Sequence, residues 1–103
     1  MMAATLEYVH LTVKNGAEEE FLRLRPAVEQ ALAGLPGFRD AELVRLDDGS
    51  WLDLVHWDSH QAALAAAEKV MQMAEVAPWM QLIEEVKVMT HGQVRARTGD
   101  RVA

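Results

Sequence analysis

The chain contains no cysteine, which excludes disulfide bonds, thiolate chemistry and cysteine-based metal sites. Basic residues are scarce as well: ten lysines and arginines stand against sixteen aspartates and glutamates, a net charge of −6 with neutral histidines. Such an acidic chain disfavours nonspecific contact with nucleic acids and anionic membranes. Nor does any apolar run approach the roughly 20 residues that cross a bilayer. We therefore predict neither a nucleic-acid nor a membrane partner.

The first and last residues of the chain predict where the protein is located and where its domain ends. The first residues, MMAATLEYVH, have neither the basic segment nor the long apolar core of a signal peptide, so we expect a cytoplasmic protein. A chain of 103 residues suffices for one domain with a single core. We expect that domain over residues 1–94, followed by a flexible polar tail at 95–103.

The spacing of apolar residues predicts six main elements of regular structure. The predicted strands cover residues 6–13, 38–46, 51–57 and 84–94, and the predicted helices cover 17–35 and 59–74. A strand–helix–strand–strand–helix–strand order is that of the split βαβ fold. The predicted fold class is therefore α+β: a ferredoxin-like βαββαβ domain with a four-stranded antiparallel sheet and two helices on one face. Right-handed crossovers place the first and third strands in the centre.

The first predicted helix has one apolar face, because apolar residues recur along it at spacings of three and four. These residues are Phe21, Leu24, Val28, Leu32 and Leu35. An interior proline costs about 3 kcal/mol, so we expect Pro26 to kink the helix or to separate two abutting helices. We place Arg23, Arg25 and Glu29 on the opposite, solvated side.

Both faces of the predicted sheet carry apolar residues. One face carries Glu7, Val9, Leu11 and Val13 from the first strand, and the open face carries Leu6, Tyr8, Leu52, Leu54 and Met89. A sheet that is apolar on its open face needs a further partner. A homodimer that packs sheet against sheet, a dimeric α/β barrel, is the simplest one.

Three of the four histidines, His10, His56 and His91, are also predicted on the open face. Antiparallel pairing separates His10 and His56 toward opposite ends of their strands, and no cysteine completes a ligand set. We predict no metal site and no bound cofactor. His10 is either an interface residue whose protonation tunes dimer packing or a hydrogen-bonded structural histidine.

The third predicted strand, WLDLVHW, carries an acidic residue among aromatic ones. Alternation puts Trp51, Asp53, Val55 and Trp57 on one face. Because burial of an unpaired carboxylate is costly, Asp53 either is solvated or ion-paired or lines a cavity. The tryptophans either fill the core or line that cavity. Trp79 is a candidate lid for one end of such a cavity.

Three stretches are similar to the antibiotic biosynthesis monooxygenase (ABM) superfamily: the Glu-rich start of the first helix, LPGF before the second strand, and VHWDS at the end of the third. The resemblance spans about residues 6–89. It implies a dimeric ferredoxin-like α/β barrel with a cavity between the sheet and the helices of each monomer. It also implies a cofactor-independent monooxygenase that acts on an aromatic or polyketide-type small molecule.

The resemblance further implies roles for individual residues. Trp57 matches a tryptophan that lines the family's cavity, and Asp53 stands four residues earlier, where relatives often have asparagine. In this chemistry a bound phenolic substrate loses a proton to a base and then reacts directly with dioxygen. On this basis Asp53 and Trp57 are the predicted catalytic residues, with Trp51, Trp79 and Tyr8 as predicted substrate-binding residues.

One departure from the family keeps a second function open. The haem-degrading branch has a histidine ligand about ten residues beyond the tryptophan, where this chain reads AAAEKV. Haem ligation from that position is therefore not expected. An alanine-rich helix can hold an apolar ligand but supplies no proton transfer. The alternative is a non-catalytic dimeric module of the same fold for small-molecule binding or the stress response.

Overall fold

Seven elements of regular structure make up the computed structural model, which describes residues 3–99. They are β1 (Thr5–Val13), α1 (Glu18–Ala33), β2 (Phe38–Arg45), β3 (Trp51–Trp57), α2 (His60–Val70), α3 (Ala77–Met80) and β4 (Ile83–Gln93). The four strands form one antiparallel sheet in the order β2-β3-β1-β4. The ferredoxin-like topology with β1 and β3 in the centre is thus confirmed. None of the described helices is long and apolar enough to cross a membrane.

Helix α1 runs through Pro26 as one continuous element, so the alternative of two abutting helices is wrong. Proline has no N–H to donate to the carbonyl of Leu22, one turn earlier. Both Pro26 and Leu22 are exposed, so water can reach the carbonyl in place of the missing donor. The helix therefore tolerates the proline on its solvent side.

An aromatic cluster joins α1 and α3 to the sheet. The buried ring of Phe21 stacks on Trp79 with ring centroids 4.6 Å apart, and it meets Trp51 edge-on at 5.4 Å. Trp57, at the far end of β3, meets Phe38 edge-on at 5.7 Å. Aromatic pairs of this kind contribute about 0.5–1.5 kcal/mol each beyond their burial. The core thus lies between the sheet and its helices, with tryptophans at both ends of β3.

Strand β4 does not alternate strictly, because its pairing with β1 shifts register between His10 and Leu11. His10 lies opposite Val88, whereas Leu11 lies opposite Val86. One extra residue on β4 is left between the two pairs, as in a β-bulge. A shift of one residue exchanges the two faces of a strand. Residues on either side of the bulge therefore cannot be assigned by one alternating pattern.

The bulge corrects two predictions for the open face. Met89 lies opposite Val9, and His91 lies opposite Glu7, so both are on the helix-covered face. Their predicted positions on the open face are wrong. Strict alternation along β4 places Val86, ahead of the bulge, on the helix-covered face, which agrees with the structure. It assigns the wrong face of the sheet to the residues that follow the bulge.

The segment after β4 has no helix or strand in the part that the structure describes. The Val94 N–H donates to the Ala4 carbonyl at 2.8 Å, and an Arg97 nitrogen lies 3.6 Å from an Asp40 oxygen. The flexible tail at 95–103 stays a prediction, and residues 100–103 lie outside the described part of the chain.

Gly37 lies in the turn between α1 and β2 and packs closely against α2. Its φ is +85°, and a Cβ atom there would lie 2.6 Å from the Cβ of Ala62.

We expect Gly37→Ala to lower the free energy of unfolding by about 2–4 kcal/mol, from left-handed strain and overpacking together. Gly16→Ala is the matched control: its φ is +80° with nothing within 4 Å. It should cost about 1 kcal/mol. Urea denaturation compares the two, and equal losses would contradict the overpacking.

Candidate active site

A cavity of about 180 Å³ lies between the sheet and the three helices. Side chains from β1, β3 and β4 form its floor, and residues of α1, α2 and α3 form its walls. The described lining is apolar except for two carboxyl groups, those of Glu7 and Asp53. An apolar pocket with a few convergent polar groups is the usual form of a small-molecule site.

The pairing of β1 with β3 brings these two carboxyl groups to the same part of the floor. Glu7 lies opposite Val55, and Asp53 and Trp57 flank Val55 at two residues on either side. Such diagonal neighbours lie within about 7–8 Å of each other. The Trp57 indole N–H donates to a Glu7 carboxylate oxygen at 3.0 Å. The structure thus brings together the predicted residues Asp53 and Trp57 and adds Glu7 to them.

Asp53 is held by a buried ion pair with Arg25 of α1. The Arg25 Nη2 donates to an Asp53 oxygen at 2.8 Å, and its Nε donates to Glu29 at 2.9 Å. The guanidinium also lies 5.1 Å from the centre of the Trp79 ring. The Arg25 side chain is only 6% exposed, so its predicted place on a solvated helix face is wrong. Asp53 is both ion-paired and cavity-lining, so both of the alternatives that the sequence left open apply to it.

Glu7 has no such cationic partner among its described contacts, and it is partly buried. Burial raises the pKa of the Glu7 carboxyl above its usual value of 4.5. The hydrogen bond from Trp57 opposes this shift, and the nearby negative charge of Asp53 adds to it. Glu7 is therefore protonated more readily than an ordinary glutamate, and its carboxylate is placed to accept a proton from a ligand in the cavity.

Glu7 should make the stability of the protein depend on pH. Because its folded pKa is raised, the stabilisation from protonated Glu7 is fully present below about pH 4.5 and is lost as pH rises through the folded pKa. We expect wild type to lose stability relative to Glu7→Gln as pH rises from about 4.5 through the folded pKa of Glu7. Urea denaturation of both proteins across that range measures the difference. A difference that is constant with pH would contradict a raised pKa.

The remaining predicted site residues are divided between the cavity and other places. Trp79 lines the cavity, where its indole N–H donates to the Phe21 carbonyl at 3.1 Å. Trp51 is buried beside Phe21, outside the cavity lining. Tyr8 alternates with Glu7 on β1 and lies opposite Leu54, on the open face of the sheet. A ligand in this cavity therefore meets Trp79 but not Tyr8.

The histidines lie away from the cavity. His10 is within hydrogen-bond distance of the Ser50 hydroxyl at 2.8 Å, which fits its structural interpretation. The rings of His60 and His91 are 5.1 Å apart beside a separate hollow. Burial and the nearby His60 lower the pKa of His91. Within residues 3–99, no group of three or more histidine or acidic side chains is placed to hold a metal ion.

Comparisons with known proteins point to one family. The family model named antibiotic biosynthesis monooxygenase matches residues 6–76 of this chain. No curated protein sequence matches it. SnoaB, a cofactor-independent oxygenase from Streptomyces nogalater, has a similar structure, with a TM-score of 0.64 at 22% identity over 97% of this chain and 99% of its own.

Two further solved structures share the fold. A proposed antibiotic biosynthesis monooxygenase from Nitrosomonas europaea gives a TM-score of 0.74 at 15% identity, over 96% of this chain and 97% of its own. A heme-degrading protein from Mycobacterium tuberculosis gives 0.72 at 19% identity, over 97% of this chain and 100% of its own. At such identities these likenesses establish the fold. The family model covers well over half of the sequence, and the chain therefore belongs to the antibiotic biosynthesis monooxygenase family.

Proposed function

We propose that this protein is a cofactor-independent monooxygenase that acts on a small aromatic molecule bound in the cavity. The observation that carries the proposal is the Glu7 carboxyl group, which lines an otherwise apolar cavity against the indole N–H of Trp57. A partly desolvated carboxylate beside an apolar ligand is a suitable proton acceptor. Family membership supports the reaction class, as does the fold shared with SnoaB, itself a cofactor-independent oxygenase.

The proposed reaction consumes one substrate molecule and one molecule of dioxygen. Glu7 takes a proton from a hydroxyl group of a dihydroxylated ring, and the negative charge spreads onto a ring carbon. That carbon gives its electrons to dioxygen, and a C–O bond forms to a hydroperoxide. The O–O bond then breaks with loss of water, and the carbon keeps one oxygen as a carbonyl. A dihydroxybenzene and dioxygen thus become a hydroxyquinone and water.

We assign the proton acceptor to Glu7 rather than to Asp53. The Asp53 carboxylate already accepts a charge-assisted hydrogen bond from Arg25, whereas Glu7 has no cationic partner among its described contacts. Asp53 then has the role of accepting from a second substrate hydroxyl group. Trp57 positions Glu7 through its indole N–H, and its ring, like that of Trp79, forms a wall of the cavity.

Haem is a less suitable substrate for this cavity, although one protein of the same fold degrades heme. Helix α2 presents Ala66, Ala67 and Val70 to the cavity, and no histidine lines it within residues 3–99. The volume of about 180 Å³ is below the roughly 300–1,000 Å³ of pockets for drug-sized ligands. The residues present therefore do not fit haem, and we propose no step through it.

The direct test is oxygen uptake by purified protein with dihydroxylated aromatic compounds, after chelation of metals and removal of flavin. We expect uptake above the protein-free rate and, with ¹⁸O₂, one labelled oxygen atom in the product. Binding without uptake above that rate would contradict the oxygenase.

A non-catalytic binding module is the second candidate. The observation that favours it is that α2 meets the cavity through Ala66, Ala67 and Val70, none of which can transfer a proton. In that case Glu7→Gln changes ligand affinity but no turnover exists to lose. Calorimetric binding measured beside oxygen uptake separates the two candidates.

We also propose that a second copy of the chain covers the open sheet face. Its apolar side chains Leu6, Tyr8, Leu52 and Leu54 are only partly buried within one chain. Val88 on the same face is 45% exposed. Light scattering should give a dimer mass, and Leu54→Asp should give a monomer that keeps its fold. We propose the cytoplasm as the place of this dimer, and the absence of cysteine is consistent with that compartment.

A further inference from the structure

A second hollow, separate from the cavity of the candidate active site, lies where α2 begins and β4 ends. Its volume is about 530 Å³, and side chains from the start of β1, the start of α2 and the end of β4 line it. Most of these side chains are polar: Thr5, Ser59, His60, Gln61, His91 and Gln93. The histidines are the only ionisable residues in the described lining. Any charged ligand held here therefore has to be recognised by the histidine pair.

One ring nitrogen of that pair has no hydrogen-bond partner. The Nε2 atom of His91 is buried and makes no hydrogen bond within residues 3–99. A buried polar atom left unpaired costs free energy, and folded proteins hold few of them. A bound ion or water molecule is one of the usual ways in which such an atom is satisfied. The unpaired nitrogen is therefore a reason to look for a ligand at His91.

The imidazole ring of His60 lies beside that of His91. The two ring centres are 5.1 Å apart. A zinc ion held tetrahedrally, about 2.0–2.1 Å from one nitrogen of each of two imidazoles, sets their ring centres about 5 Å apart. His91 is partly buried on β4, whereas His60 is exposed at the first position of α2 and can turn its ring toward an ion. The pair thus has the separation of two ligands of one metal ion.

The charges around the hollow favour a cation over an anion. A helix N-terminus by itself attracts anions, but Ser59 already accepts from the Ala62 N–H at 3.1 Å. The described lining has no lysine or arginine, the side chains that bind anionic groups most strongly. The whole chain has a net charge of −6, which attracts cations. Among cations, imidazole nitrogen suits zinc and its transition-metal neighbours, whereas magnesium and calcium take oxygen ligands.

We propose that His60 and His91 form a binding site for zinc. Each histidine supplies one nitrogen ligand, and water molecules complete the tetrahedral shell. The ion bridges the start of α2 and the end of β4, and it gives the unpaired His91 nitrogen a partner. Structural zinc sites have four protein ligands, so a site with two holds its ion less tightly. We therefore expect an exchangeable ion and a protein that folds without it.

This inference does not rest on the proposed function, because the hollow is separate from the cavity. The bulge in β4 is what makes the site, since it puts His91 on the helix-covered face, where α2 brings His60 to it. Strict alternation along β4 places His91 on the opposite face. The two histidines also lie on different elements, so no ligand spacing along the sequence marks them.

The test is calorimetric titration of the full chain, purified without a histidine tag and stripped of metals by a chelator. We expect wild type to bind one zinc ion per chain and to bind no magnesium at the same concentration. Zinc should also raise the midpoint of thermal unfolding. Cobalt in place of zinc should give the intense visible absorption of tetrahedral coordination, since geometry identifies the site. Absence of zinc binding, or binding of inorganic phosphate in its place, overturns the inference.

Variants decide whether the two histidines are the ligands. His60→Ala and His91→Ala should each weaken zinc binding at least tenfold and abolish the rise in the unfolding midpoint. His60 is exposed, so His60→Ala should keep the fold even if His91→Ala does not. His10→Ala is the matched control, because it removes an imidazole that is bonded to Ser50 outside the hollow, and it should leave zinc affinity unchanged. Equal zinc affinity in wild type and His60→Ala overturns the site. Zinc binding without any oxygen uptake supports it while contradicting the proposed oxygenase.

Discussion

Replacing Arg25 with methionine is expected to lower the free energy of unfolding by about 3–5 kcal/mol at neutral pH, because it leaves a buried carboxylate without its cation. The side chains of Arg25 and Asp53 are only 6% and 15% exposed. Methionine fills much of the arginine's volume, so the loss reports mainly on charge. The variant also loses the guanidinium contact with the Trp79 ring. Denaturation with urea at neutral pH measures the change.

Two further variants show whether the loss comes from the unpaired charge. Arg25→Met combined with Asp53→Leu removes both charges and should recover most of the stability. Arg23→Met breaks the ion pair with Glu20, whose partners are 68% and 45% exposed, and should cost less than about 1 kcal/mol. If Arg25→Met costs no more than Arg23→Met, the buried pair contributes nothing specific to stability.

The order of the strands and helices was predictable because each long element has a clear period of two or of 3.6 residues. The side of the sheet on which each β4 residue lies was not predictable. Val86, Val88 and Met89 are all apolar, so nothing in their order marks the extra residue that the structure shows opposite His10 and Leu11. A bulge is fixed by the pairing of two strands, and one strand read alone does not reveal it.

The candidate site was predictable only in part. Arg25 stands four residues after Phe21 and three before Val28, which is the spacing of the buried face itself. Its charge favoured a solvated interpretation, because its partner Asp53 is 28 residues away in sequence. One sequence does not show that the two meet. Position thus predicted burial while residue type predicted exposure, and the distant ion pair decided between them.

Glu7 was missed although the sequence contained its signal. It alternates onto the same face as Val9, Leu11 and Val13, and the cost of burying an unpaired carboxylate on an apolar face applies to Glu7 as it does to Asp53. Its hydrogen bond with Trp57 depends on the pairing of β1 with β3. Strand 51–57 therefore predicted half of the carboxylate pair, and the sheet register supplied the other half.

Glu7→Gln is expected to slow protein-dependent oxygen uptake by about 10²–10⁴-fold, the usual contribution of a general base. The amide oxygen can still accept from the Trp57 indole N–H, which lies 3.0 Å from Glu7 in the wild type, so the cavity should keep its shape. Affinity for the dihydroxylated ligand should change much less than the rate. Uptake at saturating ligand, with binding measured separately without oxygen, gives both quantities.

Asp53→Asn distinguishes the two carboxylates as bases. If Glu7 is the base, Asp53→Asn weakens binding more than it lowers the maximal rate. If the maximal rate falls as it does in Glu7→Gln, Asp53 takes part in proton transfer.

The pH profile of the rate gives a separate criterion, since the rate should rise with pH through a Glu7 pKa that lies above 4.5. Trp57→Phe removes the hydrogen bond that lowers this pKa, so the rising limb should move to higher pH. A purely structural Trp57 would change the rate without moving that limb, which makes the shift the evidence that Trp57 acts through Glu7.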